Sequence, residues 1–199
     1  MYPIHLKFII SGVSGAGKTT LIELLQKISP LIKITVHKKD TTRQLRINEQ
    51  SNNSLELNFV NQEEFDKNKK TGIYDIVYYR YSNLYGIRHD QLIKAFTEKE
   101  VHFIIISDIS AIRQLKFMYP DLKAIYVYVD PKTIPEQLQA REGLAPQERL
   151  DRIKQSYTEF LENSTLYDHV VLNFWDKENA IRQIQNILHM YIRKSTSNI

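Results

Sequence analysis

An apolar run, Leu6–Ser11, leads into Gly12-Val13-Ser14-Gly15-Ala16-Gly17-Lys18-Thr19, and a helical pattern begins at Lys18. This order of strand, glycine-rich turn and helix constrains the chain more than any other stretch. The octet matches G-x-x-x-x-G-K-[ST] without a mismatch. Glycines let successive backbone N–H groups turn inward to a shared anion, and the helix N-terminus adds its positive end. Gly12, Ser14, Gly15, Ala16, Gly17, Lys18, Thr19 and Thr20 are therefore expected to hold a nucleoside triphosphate. Lys18 is expected to bridge the β- and γ-phosphates, and the Thr19 hydroxyl to ligate Mg²⁺.

Beyond the loop, short strand-like runs alternate with helical ones. The spacing predicts helices over 18–29, 89–99, 110–118, 133–141, 146–163 and 177–193, and strands over 32–36, 101–107, 123–129 and 169–173. Thr41–Ser54 has no apolar face and reads as irregular. Leu55–Val60 reads as a strand, and Asn61 with Glu64 forms a capping-box pattern for a helix ending near Gly72. Ile73–Tyr81 and Leu84–Ile87 read as strands joined at Ser82-Asn83, and 194–199 as a frayed tail. Strands separated by helices predict a three-layer α/β fold around a parallel sheet. The closely spaced strands between 55 and 87 break that rhythm and suggest an insert standing off it.

With 199 residues and 42% apolar content, the chain is long enough for one sizeable core. A formal charge of +4 is mildly basic, but Lys and Arg are spread along the chain, so a nucleic-acid partner is not expected. No cysteine is present, which excludes disulfides and thiolate metal sites. Six scattered histidines give no zinc spacing. No apolar run approaches a membrane span. A cytoplasmic monomer or homodimer, acting on small molecules without a membrane partner, is the expectation.

Several segments in a shared order resemble those of guanylate kinases. Thr41-Thr42-Arg43-Gln44-Leu45-Arg46-Ile47-Asn48-Glu49 resembles their T-T-R-x-x-R-x-x-E segment. Asn58-Phe59-Val60 with Glu63-Glu64-Phe65 is similar to F-V-S-x-E-E-F, and Asn83-Leu84-Tyr85-Gly86 to N-x-Y-G. Arg141 and Arg152 resemble the arginines of the lid, with Arg149 an alternative to Arg152. The resemblance runs from Phe8 to Leu188 and implies a P-loop NTPase fold. Its core would take 1–40, 88–130 and 165–193, a small mixed α/β acceptor-binding insert 41–87, and a helical lid 131–164. It further implies that Arg43, Arg46 and Tyr85 hold the acceptor phosphate, and that Lys18, Arg141 and Arg152 act on the transferring group.

The chain departs from that pattern where guanylate kinases read guanine. The insert acid falls on Ile76, a serine on Lys39, a phosphate-binding tyrosine on Leu57, and a hydroxyl residue on Ile87. The D-x-D-x-Q-G element survives only as Ile106-Ser107-Asp108-Ile109-Ser110-Ala111. Asp108 reads either as a group near Mg²⁺ or the acceptor, or as a helix cap. Lys39 reads as a solvated lysine or an extra cation for the acceptor. Tyr78, Tyr79 and Tyr81 either pack the insert or line an altered pocket. The expected function is ATP- and Mg²⁺-dependent transfer to a small phosphate monoester, either a nucleotide other than GMP or a sugar phosphate. Ribose 1,5-bisphosphate phosphokinases, a second branch of the superfamily, act on such a sugar phosphate. A guanylate kinase with a diverged pocket and a non-catalytic binding module on the same fold are the alternatives.

Overall fold

The computed structural model describes residues 5–45, 54–132, 134, 146–174 and 176–197. Strand β1 (Leu6–Ser11) lies at the centre of a five-stranded sheet of order β2-β7-β1-β8-β9, with β2 at Ile34–His37, β7 at Val101–Ile105, β8 at Lys123–Tyr128 and β9 at His169–Leu172. Every neighbouring pair is parallel. Alternation along β1 explains the layers, because successive side chains of a strand face opposite ways. Leu6, Phe8 and Ile10 join one core cluster, with Leu21, Ile22 and Leu25 of α1 (Lys18–Ile28) and Ala180, Ile184 and Leu188 of α6 (Lys177–Ser197). Ile9 joins a second cluster on the other face, with Leu92 of α3 (His89–Thr97) and Ala111, Ile112 and Leu115 of α4 (Ile109–Met118). Helices thus cover both faces of a parallel sheet. Helix α6 continues to Ser197, so most of the expected tail is helical.

A second sheet of order β4-β3-β6-β5 stands beside the first, built from β3 (Lys39–Thr41), β4 (Leu57–Phe59), β5 (Tyr74–Arg80) and β6 (Asn83–Arg88). It is mixed, with β3 parallel to β4 and antiparallel to β6. Helix α2 (Gln62–Lys70) lies against β5 and begins at Asn61, whose side chain accepts from the Glu64 N–H at 2.8 Å. Residues 42–45 form no regular element, as expected, but β3 corrects the irregular reading at its start. Its sequence, Lys-Asp-Thr, is polar yet fully buried, because its side chains are satisfied by partners distant in sequence. The β5–β6 turn also lies one residue earlier than predicted. Tyr81 and Ser82 take the positive φ values, 47° and 62°, and Asn83 donates its side-chain amide to the Tyr81 carbonyl at 2.6 Å.

Asp40 organises this second sheet. Its carboxylate accepts from Asn58 of β4 at 2.9 Å and from the Tyr74 hydroxyl of β5 at 2.7 Å, and it meets Arg88 of β6 at 3.4 Å. Tyr74 reaches Asp40 by crossing β6 at Gly86, where an added Cβ would lie 2.7 Å from the tyrosine ring. The ring also packs on Phe65 of α2, with centroids 4.8 Å apart. Gly86 is therefore required by close approach rather than by backbone conformation. Gly86→Ala is expected to cost about 2–4 kcal/mol in urea denaturation, since the ring must leave either Asp40 or Phe65. Tyr74→Ala in the same background should largely absorb the penalty of the added methyl group, giving a non-additive pair.

His37 and His102 lie on neighbouring strands with His37 Nε2 and His102 Nδ1 2.9 Å apart, both buried. Burial, then the neighbouring His102, lowers the His37 pKa to about 4, and burial lowers that of His102. Each imidazole is thus neutral in the fold at pH values where the unfolded chain binds protons. Stability is fully present above about pH 6.5 and is lost as the pH falls from there towards 4. The expected loss is about 2–3 kcal/mol over that window for His37. Denaturation across this pH range should show a shallower slope for His37→Asn than for the wild type.

Candidate active site

The glycine-rich turn sits at the carboxyl end of β1, in the middle of the sheet. Gly12, Gly15 and Gly17 all have positive φ. Gly12 is the tightest of them, with φ +143° and space for a Cβ only 2.5 Å from the Val127 carbonyl of β8. The first turn of α1 carries no acid, which leaves its N-terminal end free of a competing negative charge. Asn173, buried after β9, steadies the loop by donating to the Ala16 carbonyl at 2.9 Å. Sequence reasoning missed Asn173 because its partner lies 157 residues away.

Ser14, Gly15, Gly17, Lys18, Thr19 and Thr20 line a cleft of about 750 Å³ between the loop and the second sheet. Gly12 and Ala16 lie beneath that surface, where Gly12 accepts from Ser107 Oγ at 2.9 Å and Ala16 is fully buried. The Lys18 ammonium is folded over the loop, donating to the Gly12 and Val13 carbonyls at 2.8 and 3.0 Å. The Thr19 hydroxyl donates to Glu56 Oε1 at 3.2 Å. Together these groups offer a glycine-rich turn at a helix N-terminus, a cation and hard oxygens, a set that fits a phosphate chain with a divalent cation.

The opposite wall comes from the second sheet. Lys39 is not solvated: it is 5% exposed, and its ammonium donates to Glu56 Oε2 at 2.9 Å and to the Ile105 carbonyl at 2.7 Å. Burial opposes ionisation of Glu56, but the charge and hydrogen bond of Lys39, with Lys18 and Thr19, hold its carboxyl below the usual range. Tyr78 and Tyr85 face each other across β5 and β6 and stack with centroids 5.1 Å apart and planes 9° from parallel. Both line the cleft, while Tyr79, on the other face of β5, is exposed. Arg43 also lines the cleft and lies over the Phe59 ring at 5.1 Å. Arg46 and Arg141 fall outside the described residues.

Arg80 and Tyr81 join this wall to helix α5 (Pro146–Glu162). The Arg80 guanidinium reaches Glu159 at 2.9 Å and Asp108 at 4.0 Å, and the Tyr81 hydroxyl meets Ser156 Oγ at 3.0 Å. Burial works against the Arg80 charge, but Tyr81, Glu159 and Asp108 outweigh it and raise the pKa. Arg152, one turn before Ser156, does not line the cleft. It rests on the Tyr81 ring at 4.5 Å and bonds Glu148 at 2.8 Å. Asp108 is the N-cap of α4: its Oδ1 accepts from the Ala111 N–H at 2.9 Å and from Ser110 Oγ at 2.6 Å. Of its two readings, the cap is the one the structure displays.

Among the described residues, neither Ile76, at the position of the insert acid, nor its neighbour Asp75 lines the cleft. Ile76 is 1% exposed and packs in the apolar cluster beneath the second sheet. A bulge between Tyr74 and Ile76 leaves Asp75 opposite no residue of β6, and its carboxylate meets His89 Nδ1 at 2.9 Å instead.

The guanylate kinase family model matches residues 5–191. The chain belongs to the guanylate kinase family. Among the curated relatives of this family member, a guanylate kinase of Carboxydothermus hydrogenoformans is 26% identical over 182 residues, covering 90% of this chain and 85% of the relative. A guanylate kinase of Blochmanniella floridana is 29% identical over 181 residues, covering 90% and 84%. Guanylate kinase from Anaplasma phagocytophilum superposes with a TM-score of 0.68 at 20% identity, over 96% of this chain and 88% of that one. Shikimate kinase from Bacteroides thetaiotaomicron gives 0.54 at 16% identity, covering 92% and 98%. These likenesses establish the α/β P-loop kinase fold, and with the family they make the chain a P-loop kinase. Among the described residues, no helix is long and apolar enough to cross a membrane.

Arg80→Ala in this kinase is expected to cost about 3–5 kcal/mol, because it leaves Glu159 and Asp108 without their buried cation. Urea denaturation should show the loss, and Arg80→Met combined with Glu159→Met should recover most of it. A neutral Arg80→Ala would mean that the ion pair is not formed in solution.

Proposed function

We propose that this guanylate kinase family member transfers the γ-phosphoryl group of ATP to a phosphate monoester other than GMP. The observation that carries the reading is the apolar burial of Ile76. Discriminating guanine needs acceptors for its N1 and N2 hydrogens. Neither acid near that position is available: Asp75 meets His89 on the outside of the bulge, and Asp108 caps α4. Glu56, which does line the cleft, accepts from Lys39 and Thr19. Among the described residues, the cleft is also lined by Arg43, Arg80, Tyr78, Tyr81, Tyr85 and Ser156, a mainly cationic and aromatic group.

In this reading the loop N–H groups and Lys18 hold the triphosphate, and Thr19 contributes to the Mg²⁺ site. The metal, when bound, offsets the charge on the β- and γ-phosphates. Arg43, with Arg46, holds the acceptor phosphate through guanidinium forks that match its oxygens. The Tyr85 hydroxyl adds a further bond to that phosphate, and Lys39, paired with Glu56, lies behind that wall. Arg141 and Arg152 stabilise the transferring group once the lid closes, when Arg152 exchanges its rest on Tyr81 for the phosphates. Such a site works by positioning and electrostatics, so it needs no covalent nucleophile.

The second reading, phosphorylation of GMP itself, is favoured by the guanylate kinase relatives at 26–29% identity. ADP release should be followed with ATP and Mg²⁺ over GMP, the other nucleoside monophosphates and sugar phosphates, ribose 1,5-bisphosphate included. The expected result is turnover with a non-guanine acceptor at least about tenfold above GMP in kcat/KM, a difference of about 1.4 kcal/mol. Preferred turnover of GMP would overturn the proposal in favour of the second reading. Lys18→Ala should lower kcat by about a hundredfold or more with any acceptor, and unchanged kcat would remove the loop from the reaction.

A further inference from the structure

Magnesium sites beside phosphate-binding loops commonly combine the loop hydroxyl with a carboxylate at the end of the strand next to β1. In this chain that strand is β7, and its end is apolar. Ile104, Ile105 and Ile106 are buried, Ser107 donates to the Gly12 carbonyl, and Asp108 is turned away to cap α4. The strand itself brings no acid to Thr19. Glu23, one turn along α1, lines the cleft from an exposed position.

Among the described residues, one carboxylate does reach the hydroxyl, and it comes from the segment leading into the other sheet. Glu56 precedes β4, and its two oxygens have different partners. Oε1 accepts from the Thr19 hydroxyl at 3.2 Å, and Oε2 accepts from the Lys39 ammonium at 2.9 Å. Lys39 is in turn fixed by the Ile105 carbonyl at 2.7 Å, so the end of β7 still directs an acid to the loop, but through a lysine. The Glu56 side chain is 22% exposed where it lines the cleft and stays ionised between Lys39 and Lys18.

We infer that Glu56 is the carboxylate of the magnesium site, acting through Oε1 beside Thr19, while Lys39 compensates its charge from Oε2. The inference rests on the proposed binding of a nucleoside triphosphate at the loop. Its chemistry is ordinary for Mg²⁺, which retains several waters and takes only one or two carboxylates alongside phosphate oxygens. Such a site has no need of a cage of protein acids, and the described residues hold no cluster of three or more metal-binding side chains. A lysine on the remote oxygen leaves Oε1 to face the cleft while compensating the buried negative charge before the metal arrives.

The test is Mn²⁺ binding, read by electron paramagnetic resonance in the presence of a non-hydrolysable imido analogue of ATP, which needs no turnover. Glu56→Gln is expected to weaken Mn²⁺ by about 10–100-fold, the range for loss of a supporting carboxylate. Affinity for the analogue in EDTA should stay within about twofold, since loop contacts are untouched. Lys39→Met, which keeps the carboxylate, should hold Mn²⁺ within about threefold of the wild type or bind it more tightly, because a competing cation is removed. Should Glu56→Gln fail to fold with Lys39 unpaired, Lys39→Met/Glu56→Gln compared with Lys39→Met reads the same loss. Unchanged Mn²⁺ affinity in the glutamine variant overturns the assignment. Equal losses in Glu56→Gln and Lys39→Met overturn it too, since Glu56 would then serve only to anchor the lysine. No analogue binding by the wild type in EDTA would overturn the triphosphate reading with it, an outcome separable from loss of the metal alone.

Discussion

A buried ammonium on β3 sets the relation between the two halves of the cleft. Lys39 is nearly inaccessible, and a charge in such a place is tolerated only when it is both paired and hydrogen-bonded. The Ile105 carbonyl and the Glu56 carboxylate meet that requirement together, and the Lys39 N–H also bonds the Glu56 carbonyl at 3.1 Å. Three parts of the molecule are thereby tied at one nitrogen: the end of β7 in the main sheet, strand β3, and the residue that leads into β4. Because Glu56 extends from there to Thr19, the tie continues into the first turn of α1. The glycine-rich loop and the opposite wall of the cleft are consequently held at a separation set by side-chain chemistry and not only by strand packing.

The far end of the wall is held differently. There the β5–β6 turn needs two residues of positive φ, and it fills them with Tyr81 and Ser82 rather than glycine. A tyrosine in that conformation is strained by about 1 kcal/mol or more, which its contacts offset. Its ring lies between the Arg80 and Arg152 guanidiniums, at 4.7 and 4.5 Å, and its hydroxyl meets Ser156. Any motion that parts the second sheet from α5 must break these contacts and the Arg80–Glu159 pair together. Opening is therefore opposed by one coupled network, in which the loss of any member weakens the others.

How much of this was legible in the sequence follows from the kind of interaction involved. The loop and its flanking elements were read correctly because their signals are local: apolar alternation, glycine, and a helical stripe. The Asn61–Glu64 cap was equally local and is present in the fold. Strand β3 was missed since Lys39, Asp40 and Thr41 carry no apolar pattern, and their burial depends on charge and hydrogen-bond partners such as Ile105, 66 residues away. Glu56 escaped notice for the same reason: only the fold brings it to Thr19, 37 residues earlier. The family resemblance supplied Arg43 and Tyr85, but it had no counterpart to suggest Arg80, whose partners Glu159 and Ser156 lie on a helix nearly eighty residues later. Apolar periodicity reports which faces are buried, and it is silent where burial is electrostatic.

The same distinction bears on the acceptor pocket. Ile76 does not merely lack a carboxylate; with Tyr78 and Ile87 it forms the apolar underside of the second sheet, against Ile9 and Ile104 of the main sheet. A carboxylate restored at position 76 would enter that packed layer without a partner, at a cost of several kcal/mol. Three of the polar groups on the wall, Arg80, Tyr81 and Ser156, lie further along at the turn and on α5, and they are already bonded to one another. An acceptor recognised there must compete with that network, so selectivity would favour an anionic or hydroxyl-rich group able to accept from Arg80 and Tyr81.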